Sequence, residues 1–344
     1  MPPPYQIRLG GFKILEQLTW ISLTEPEKGL KSPAQLCRLF AEKKINSPFF
    51  TCGRWSGMWR LNIAIDSNNA SKALPIVKTK PGKERYPGVS AGILSLFPHK
   101  NNLEITSRLL NAFGKSGIEP EAIAHSSSAV SVVLLKELIP KAVSALFDSF
   151  SFSAYQSPAD WKLTQKGNNV LYREVVASYQ EKRPKVYFLE LKEAQELLRI
   201  NLNSSDHRPM GKVFNYLARS GCFFSFLTWS RTGAEKSADL FLCLSEPESG
   251  KVADLIREEL PRAIASRTNP VTLFSMTGPH FGDRYGIASE LLSALESDNI
   301  DLMALNCSIA SITGVVPAGQ TDPAIHAIKK CFEVPSVVKK QETA

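Results

Sequence analysis

The chain has 344 residues, 43% of them hydrophobic and 22% charged, a balance that fits a soluble globular protein and excludes a disordered one. Its 41 Lys and Arg against 33 Asp and Glu leave a formal charge of +8. Those positives are spread, partly over Lys78, Lys80, Lys83 and Arg85 and over Lys339 and Lys340, with no basic motif interleaved with aromatics, so no nucleic-acid partner is expected. No apolar run approaches the ~20 residues of a membrane span. The start MPPPYQIRLGGFK puts prolines where a secretory signal carries charge and then an unbroken apolar core, so neither export nor a membrane partner is expected. Cys37, Cys52, Cys222, Cys243, Cys307 and Cys331 form no C-x-x-C pair and sit among apolar or helical neighbours, which points to small buried thiols in a reducing cytoplasm.

In chain order, Phe12 to Leu23 reads as a strand, or as a short helix passing into one. A helix follows with Ser32 as N-cap and Pro33 at its first position, where a missing N–H costs nothing. Strands at Ser47 to Cys52 and Trp59 to Ile65 and a weak helix at Asn69 to Ile76, interrupted by Pro75, complete a first unit. In a second, a strand through Ile93 to Phe97 leads to a helix over Asn102 to Phe113, with Gly117 as its stop. Two strands flank Ser126 to Ser128, and a helix covers Pro140 to Phe147. The pattern lapses between Ser157 and Pro184. The third unit has a strand at Val186 to Leu189, a helix-like insertion at Ala194 to Ile200, a helix opened by Pro209, strands at Phe223 to Trp229 and Ala238 to Leu244, and a helix over Gly250 to Leu260. The fourth, from Val271, has a strand, a turn from Gly278 to Tyr285, a helix over Gly286 to Ser297, two strands, a helix over Pro323 to Phe332 and a short last strand near Val334.

First helices therefore start near Pro33, Asn102, Pro209 and Gly286, and each is followed by strand, strand and helix. SPFFTCGRWSG in the first unit echoes CFFSFLTWSRTG in the third, and LSLFPHKN in the second echoes FSMTGPHFGD in the fourth, which suggests a duplicated pair. The expected division is 1–82, 83–160, a linker or extra strand at 161–183, then 184–267 and 268–344.

In the fourth unit, Gly278, Asp283-Arg284-Tyr285-Gly286-Ile287, Asn299-Ile300-Asp301-Leu302 and Asn306-Cys307-Ser308-Ile309 resemble an ACT domain of the aspartokinase regulatory type. Gly117-Ile118-Glu119-Pro120 and the run His125 to Ser131 carry the likeness into the second unit. Tyr285-Gly286 stands where the family has Pro-Gly, the second unit has Asn101-Asn102 in place of a glycine, and no glycine-rich phosphate loop or kinase-type segment is present in the sequence. The resemblance implies an α+β protein of four tandem ferredoxin-like βαββαβ units, each an antiparallel sheet with helices on one face, paired side by side. It also implies an amino acid or similar small effector at the interface between units.

A helix start left uncapped by a tight glycine turn suits a ligand carboxylate. By that logic Gly278, His280, Asp283, Gly286 and Ile287 would line the loop of the fourth unit, with Asn306 and Ser308 on the next strand. Asp283 can accept from a ligand ammonium or cap the helix, and Asn306 and Ser308 can face a ligand or an adjoining unit. In the second unit the matching set is His99, Asn101, Asn102, His125 and Ser127. Five scattered histidines offer no metal cluster, and no nucleophile elbow occurs. The expectation is a non-catalytic regulatory protein with no cofactor or metal, assembling with itself or a partner enzyme. The alternative is a docking scaffold whose ligand sites have degenerated.

Overall fold

The computed structural model describes residues 6–27, 32–77, 88–97, 103–126, 129–165, 183–203, 207–219, 224–232, 237–279, 281–282, 284–309 and 311–339. A short ribbon of β1 (Ile7–Leu9) and β8 (Phe150–Phe152) stands apart. Every other strand among the described residues belongs to one sheet. The elements run β2 (Gly11–Pro26), α1 (Pro33–Glu42), β3 (Phe49–Trp55), β4 (Met58–Asp66), α2 (Ala70–Val77), then β5 (Val89–Phe97), α3 (Leu103–Lys115), β6 (Ala122–His125), β7 (Val130–Leu135) and α4 (Ile139–Ser149). After α5 (Pro158–Gln165) come β9 (Phe188–Asn203), α6 (His207–Arg219), β10 (Phe224–Thr232), β11 (Ser237–Ser245) and α7 (Glu246–Glu259). The chain ends with β12 (Ile264–Thr277), α8 (Ile287–Ser297), β13 (Ala304–Cys307), β14 (Ser311–Pro317), α9 (Thr321–Cys331) and β15 (Val337–Lys339).

The strand order is β11-β10-β6-β7-β5-β2-β4-β3-β13-β14-β12-β9-β15 in a 13-stranded sheet, and β11 also pairs with β9. All strands of this sheet but β15 thus form a ring, and β15 adds in parallel to β9. This corrects the expected architecture. Four small sheets, paired side by side, do not form; the strands merge into one mixed sheet. Length is the physical reason. β2 and β9 have 16 residues each and β12 has 14, far beyond a usual strand, so each reaches partners on both sides. Breaks in register between Leu15 and Leu18, and again between Thr268 and Val271, let these strands bend. Pairing the edges in this way removes open backbone groups that would otherwise template aggregation.

A second correction concerns Ala194 to Ile200, which is strand and not helix. Leu197, Leu198 and Ile200 are buried, and this half of β9 is paired on both edges, by β11 and by β12. Paired backbone and two buried faces outweigh the helix preference of Glu, Gln and Leu. The expected extra strand at Val170 to Tyr179 lies outside the described residues.

The ring is flattened, with helices outside it on both sides. On one side α1, α2, α8 and α9 cover an apolar core that includes Leu36, Phe40, Phe50, Leu61, Leu291, Leu305 and Ile328. Opposite, α3, α4, α6 and α7 cover Leu109, Phe113, Val132, Leu146, Phe214 and Val252. Between the walls, alternate strand residues face inward. Trp20, Phe49 and Ile93 form one apolar patch, and Phe226, Phe241 and Val315 another. Gly53 belongs here, because a Cβ on it would stand 2.5 Å from the ring of Phe241 in the facing wall. Polar groups bridge the walls as well. Asn62 accepts from Ser22 at 2.9 Å and donates to Ser230 at 3.0 Å, and Arg60 pairs with the buried Asp239 at 2.7 Å. Each such group is stabilising only because its partner is present.

Candidate functional site

The seam where β3 pairs with β13 is roofed by two helices, α1 and α8. They run antiparallel. Ser32, the N-cap of α1, donates to Glu296 in the last turn of α8 at 2.8 Å, while a Cβ on Gly286, the N-cap of α8, would lie 3.8 Å from Ala41. A cleft opens at each end of this helix pair.

At the start of α8 the backbone of Gly286 has φ +90°, a left-handed conformation that glycine adopts without strain. Glu290 N–H donates to Gly286 carbonyl at 2.8 Å and closes the first helical turn. The N-cap residue, a glycine, has no side chain to cap this end, and among the described residues no side-chain cap is present. The N–H groups of Ile287, Ala288 and Ser289 therefore point out of the helix at its positive end. They meet a cavity of about 30 Å³, walled on the far side by Asn46 and Ser47 from the loop after α1 and floored by Phe50, Cys307 and Ile312. Asn46 donates to Gly282 carbonyl at 2.7 Å and ties the two loops together. Arg284 pairs with Glu290 at 3.1 Å at the rim. Burial pushes the Glu290 carboxyl above its ordinary pKa, while the Arg284 charge pulls it back. In the floor, burial pushes the Cys37 thiol up to about 12 and raises Cys307 well above its usual value, so both stay protonated.

At the other end lies a larger cleft of about 300 Å³. Trp59 and the leucines of α8 form its floor, and Arg54 sits 5.9 Å from the Trp59 ring while pairing with Asp301 at 2.5 Å and Glu27 at 3.4 Å. In the opposite half of the molecule, α3 and α6 roof the β6–β10 seam, but there the helices touch. Ser107 donates to Gly211 carbonyl at 2.8 Å, and a Cβ on Gly211 would lie 2.7 Å from Asn111. A void of about 10 Å³ among Leu110, Phe214 and Leu227 is what is left beneath them.

The residues singled out from sequence divide accordingly. Gly286 and Ile287 line the smaller cleft. Gly278 is packed where a Cβ would stand 2.6 Å from Lys185 carbonyl, a close backbone approach that requires glycine. Asn306 turns away from the cleft into the space between the walls, where it donates to His125 carbonyl at 3.2 Å. Ser308 donates to Ser311 in a turn. The His125 ring is buried edge-on against Phe224, 4.5 Å between centroids, and so is distant from the α1–α8 roof. His99, Asn101, Asn102, Ser127, His280 and Asp283 lie outside the described residues. Sequence reasoning missed Asn46 and Ser47, which come from a different part of the chain and carry no motif. Their position depends on the β3–β13 pairing.

No protein-family model matches the sequence, and no curated protein matches it. Among solved structures, an aspartate kinase from Synechocystis superposes with a TM-score of 0.76 at 15% identity, over 98% of this chain and 58% of that one. This chain shares that enzyme's fold over nearly its whole length. It spans 58% of the length of the kinase it matches. The regulatory subunit of aspartate kinase from Thermus flavus aligns at 15% identity and TM-score 0.39 over 43% of this chain and 99% of its own. Aspartokinase III of E. coli aligns at 20% identity and TM-score 0.34, over 44% and 34%.

Two expectations are corrected by the first of these. The expected likeness to a regulatory region without a kinase domain is corrected, because the structure that matches over 98% of this chain is an aspartate kinase. A non-catalytic regulator, or a docking scaffold, is likewise overturned as a description. It rested on motifs missing from the sequence, whereas the fold is shared with an enzyme over 58% of that enzyme's chain. Among the described residues no helix is long and apolar enough to cross a membrane, and no group of His, Cys, Asp and Glu could hold a metal ion.

Proposed function

We propose that this chain belongs to an aspartate-kinase-like enzyme and that it takes a free amino acid by its carboxylate at the start of α8. The observation that carries this reading is the helix end at Gly286, uncapped among the described residues, with three outward N–H groups facing a cleft shared with the loop after α1. Asn46 and Ser47 are placed to meet polar groups of the ligand from the other side. A volume of about 30 Å³ accepts a carboxylate but not a whole amino acid. Phe281 or Arg284 must swing aside, so occupancy is linked to a rearrangement at the rim, and a ligand that favours the rearranged state shifts the equilibrium toward it. Effector binding is supported further by likeness to aspartate kinases, and self-association rests on that likeness alone.

Thermal shift and calorimetry with the twenty amino acids at millimolar concentration test this reading. One or a few should raise the melting temperature in a concentration-dependent way. The matching amine without a carboxylate should not. A flat response across all twenty would overturn the proposal.

A further inference from the structure

At the start of α8, the hydrogen bonds that the cleft's polar side chains already make decide what each has left for a ligand. Ser289 is the third residue of the helix, where a side chain leans back over the helix start. It lines the cleft and is 8% exposed, yet its hydroxyl has no hydrogen-bond partner among the described residues. A hydroxyl buried in this way is destabilising until a partner meets it, and here the open side is the cleft. The backbone N–H groups of Ile287, Ala288 and Ser289 stand beside it without helical acceptors. This wall is therefore rich in donors.

The facing wall has the opposite character. Ser47 donates its hydroxyl hydrogen to the carbonyls of Phe49 at 2.9 Å and Ala64 at 3.1 Å, and Asn46 turns its amide nitrogen onto Gly282 carbonyl at 2.7 Å. What remains is Ser47 Oγ and Asn46 Oδ1, and among the described residues no donor reaches either. These two oxygens can only accept. Donors on α8 and acceptors on the loop after α1 thus share one small cleft, which fits a ligand that is anionic at one end and carries N–H donors at the other.

We propose that Ser289 is a binding residue that gives the effector carboxylate a side-chain donor, and that Asn46 Oδ1 and Ser47 Oγ take the effector ammonium. The inference rests on the reading of this cleft as an amino-acid site and adds the side chains that recognise each end. It also sets what is refused. A carboxylic acid without the amino group removes water from two acceptors and offers them no donor, so the cleft discriminates against it.

Calorimetric titration of the full chain with each of the twenty amino acids, and with the deaminated acid that matches each binder, tests this in the unaltered chain and in Ser289→Ala. The deaminated acid should bind at least about tenfold more weakly than the amino acid, a comparison that needs no variant. Ser289→Ala should weaken the amino acid about tenfold, the worth of one hydrogen bond to a charged group. Its urea midpoint should stay unchanged or rise, because the hydroxyl has no partner in the folded chain to lose. If no amino acid binds, the amino-acid reading fails and this inference fails with it. If amino acids bind while Ser289→Ala keeps the affinity, or while the deaminated acid binds as tightly, the inference is overturned and that reading stands. A lowered urea midpoint in Ser289→Ala would also overturn it, by showing that the hydroxyl supports the fold.

Discussion

Replacing Gly286 by alanine separates backbone geometry from packing at the proposed effector cleft. A Cβ there would find its nearest neighbour, the Ala41 methyl, at 3.8 Å, which is ordinary contact, so nothing has to move sterically. The whole cost is the left-handed backbone at φ +90°, about 1–2 kcal/mol for a residue with a Cβ. Relief comes only if the residue abandons that conformation, and this would turn the N–H groups of Ile287, Ala288 and Ser289 out of the cleft. Gly286→Ala should therefore lower the urea midpoint and weaken amino-acid binding together. Gly57 supplies the control: it has φ +72° with nothing within 4 Å of its Cβ position, so Gly57→Ala should cost a similar amount of stability and leave binding untouched. A Gly286→Ala variant as stable as the parent, with unchanged affinity, would refute the reasoning.

Three further outcomes follow from the same structure. Gly53→Ala should cost about 1–3 kcal/mol, because its Cβ would press to 2.5 Å of the Phe241 ring, and Phe241→Leu in the same chain should recover part of that loss; simple additivity in the double-mutant cycle would contradict the face-to-face packing of the two walls. Burial holds the Cys37 thiol near a pKa of about 12, so iodoacetamide at pH 8 should alkylate it only as fast as the chain opens, and labelling of the native chain at the unfolded rate would show the floor of the cleft to be accessible. Burial raises the pKa of Glu290 in the folded chain, so the native state holds that proton more tightly than the unfolded state, and the cost of its charge is present above the raised pKa and relieved as pH falls toward 4.5. Glu290→Gln should then stabilise the chain at pH 7 by a margin that shrinks on acidification; a margin that widens would reverse the assigned sign.

Much of the local structure was legible in the sequence. Ser32 before Pro33 marked a helix start, and the structure has that start with the Ser32 hydroxyl on Gln35 N–H. Gly286 before an amphipathic run marked another. The strands on either side of Gly53 to Gly57 were evident from their apolar residues and turn. What the sequence did not disclose depends on contacts far apart in the chain. Nothing near Leu197 says that β9 is paired on both edges, so its helix-forming residues misled. The closing of the ring follows from which strands meet, and no single segment encodes it. Asn306 and Ser308, two apart, were expected on one face, but the strand ends at Cys307 and Ser308 enters a turn, which breaks the alternation. Asn46 and Ser47 became candidates only through the β3–β13 seam, which places the loop after α1 opposite α8.

The most direct test of the central claim is a backbone amide NMR titration of the full chain with the twenty amino acids. The structure predicts that an effector's carboxylate shifts the ¹⁵N–¹H resonances of Ile287, Ala288 and Ser289 first and most, with Asn46 following. An amino acid that binds while these amides stay unmoved, or a panel in which none binds, would contradict it.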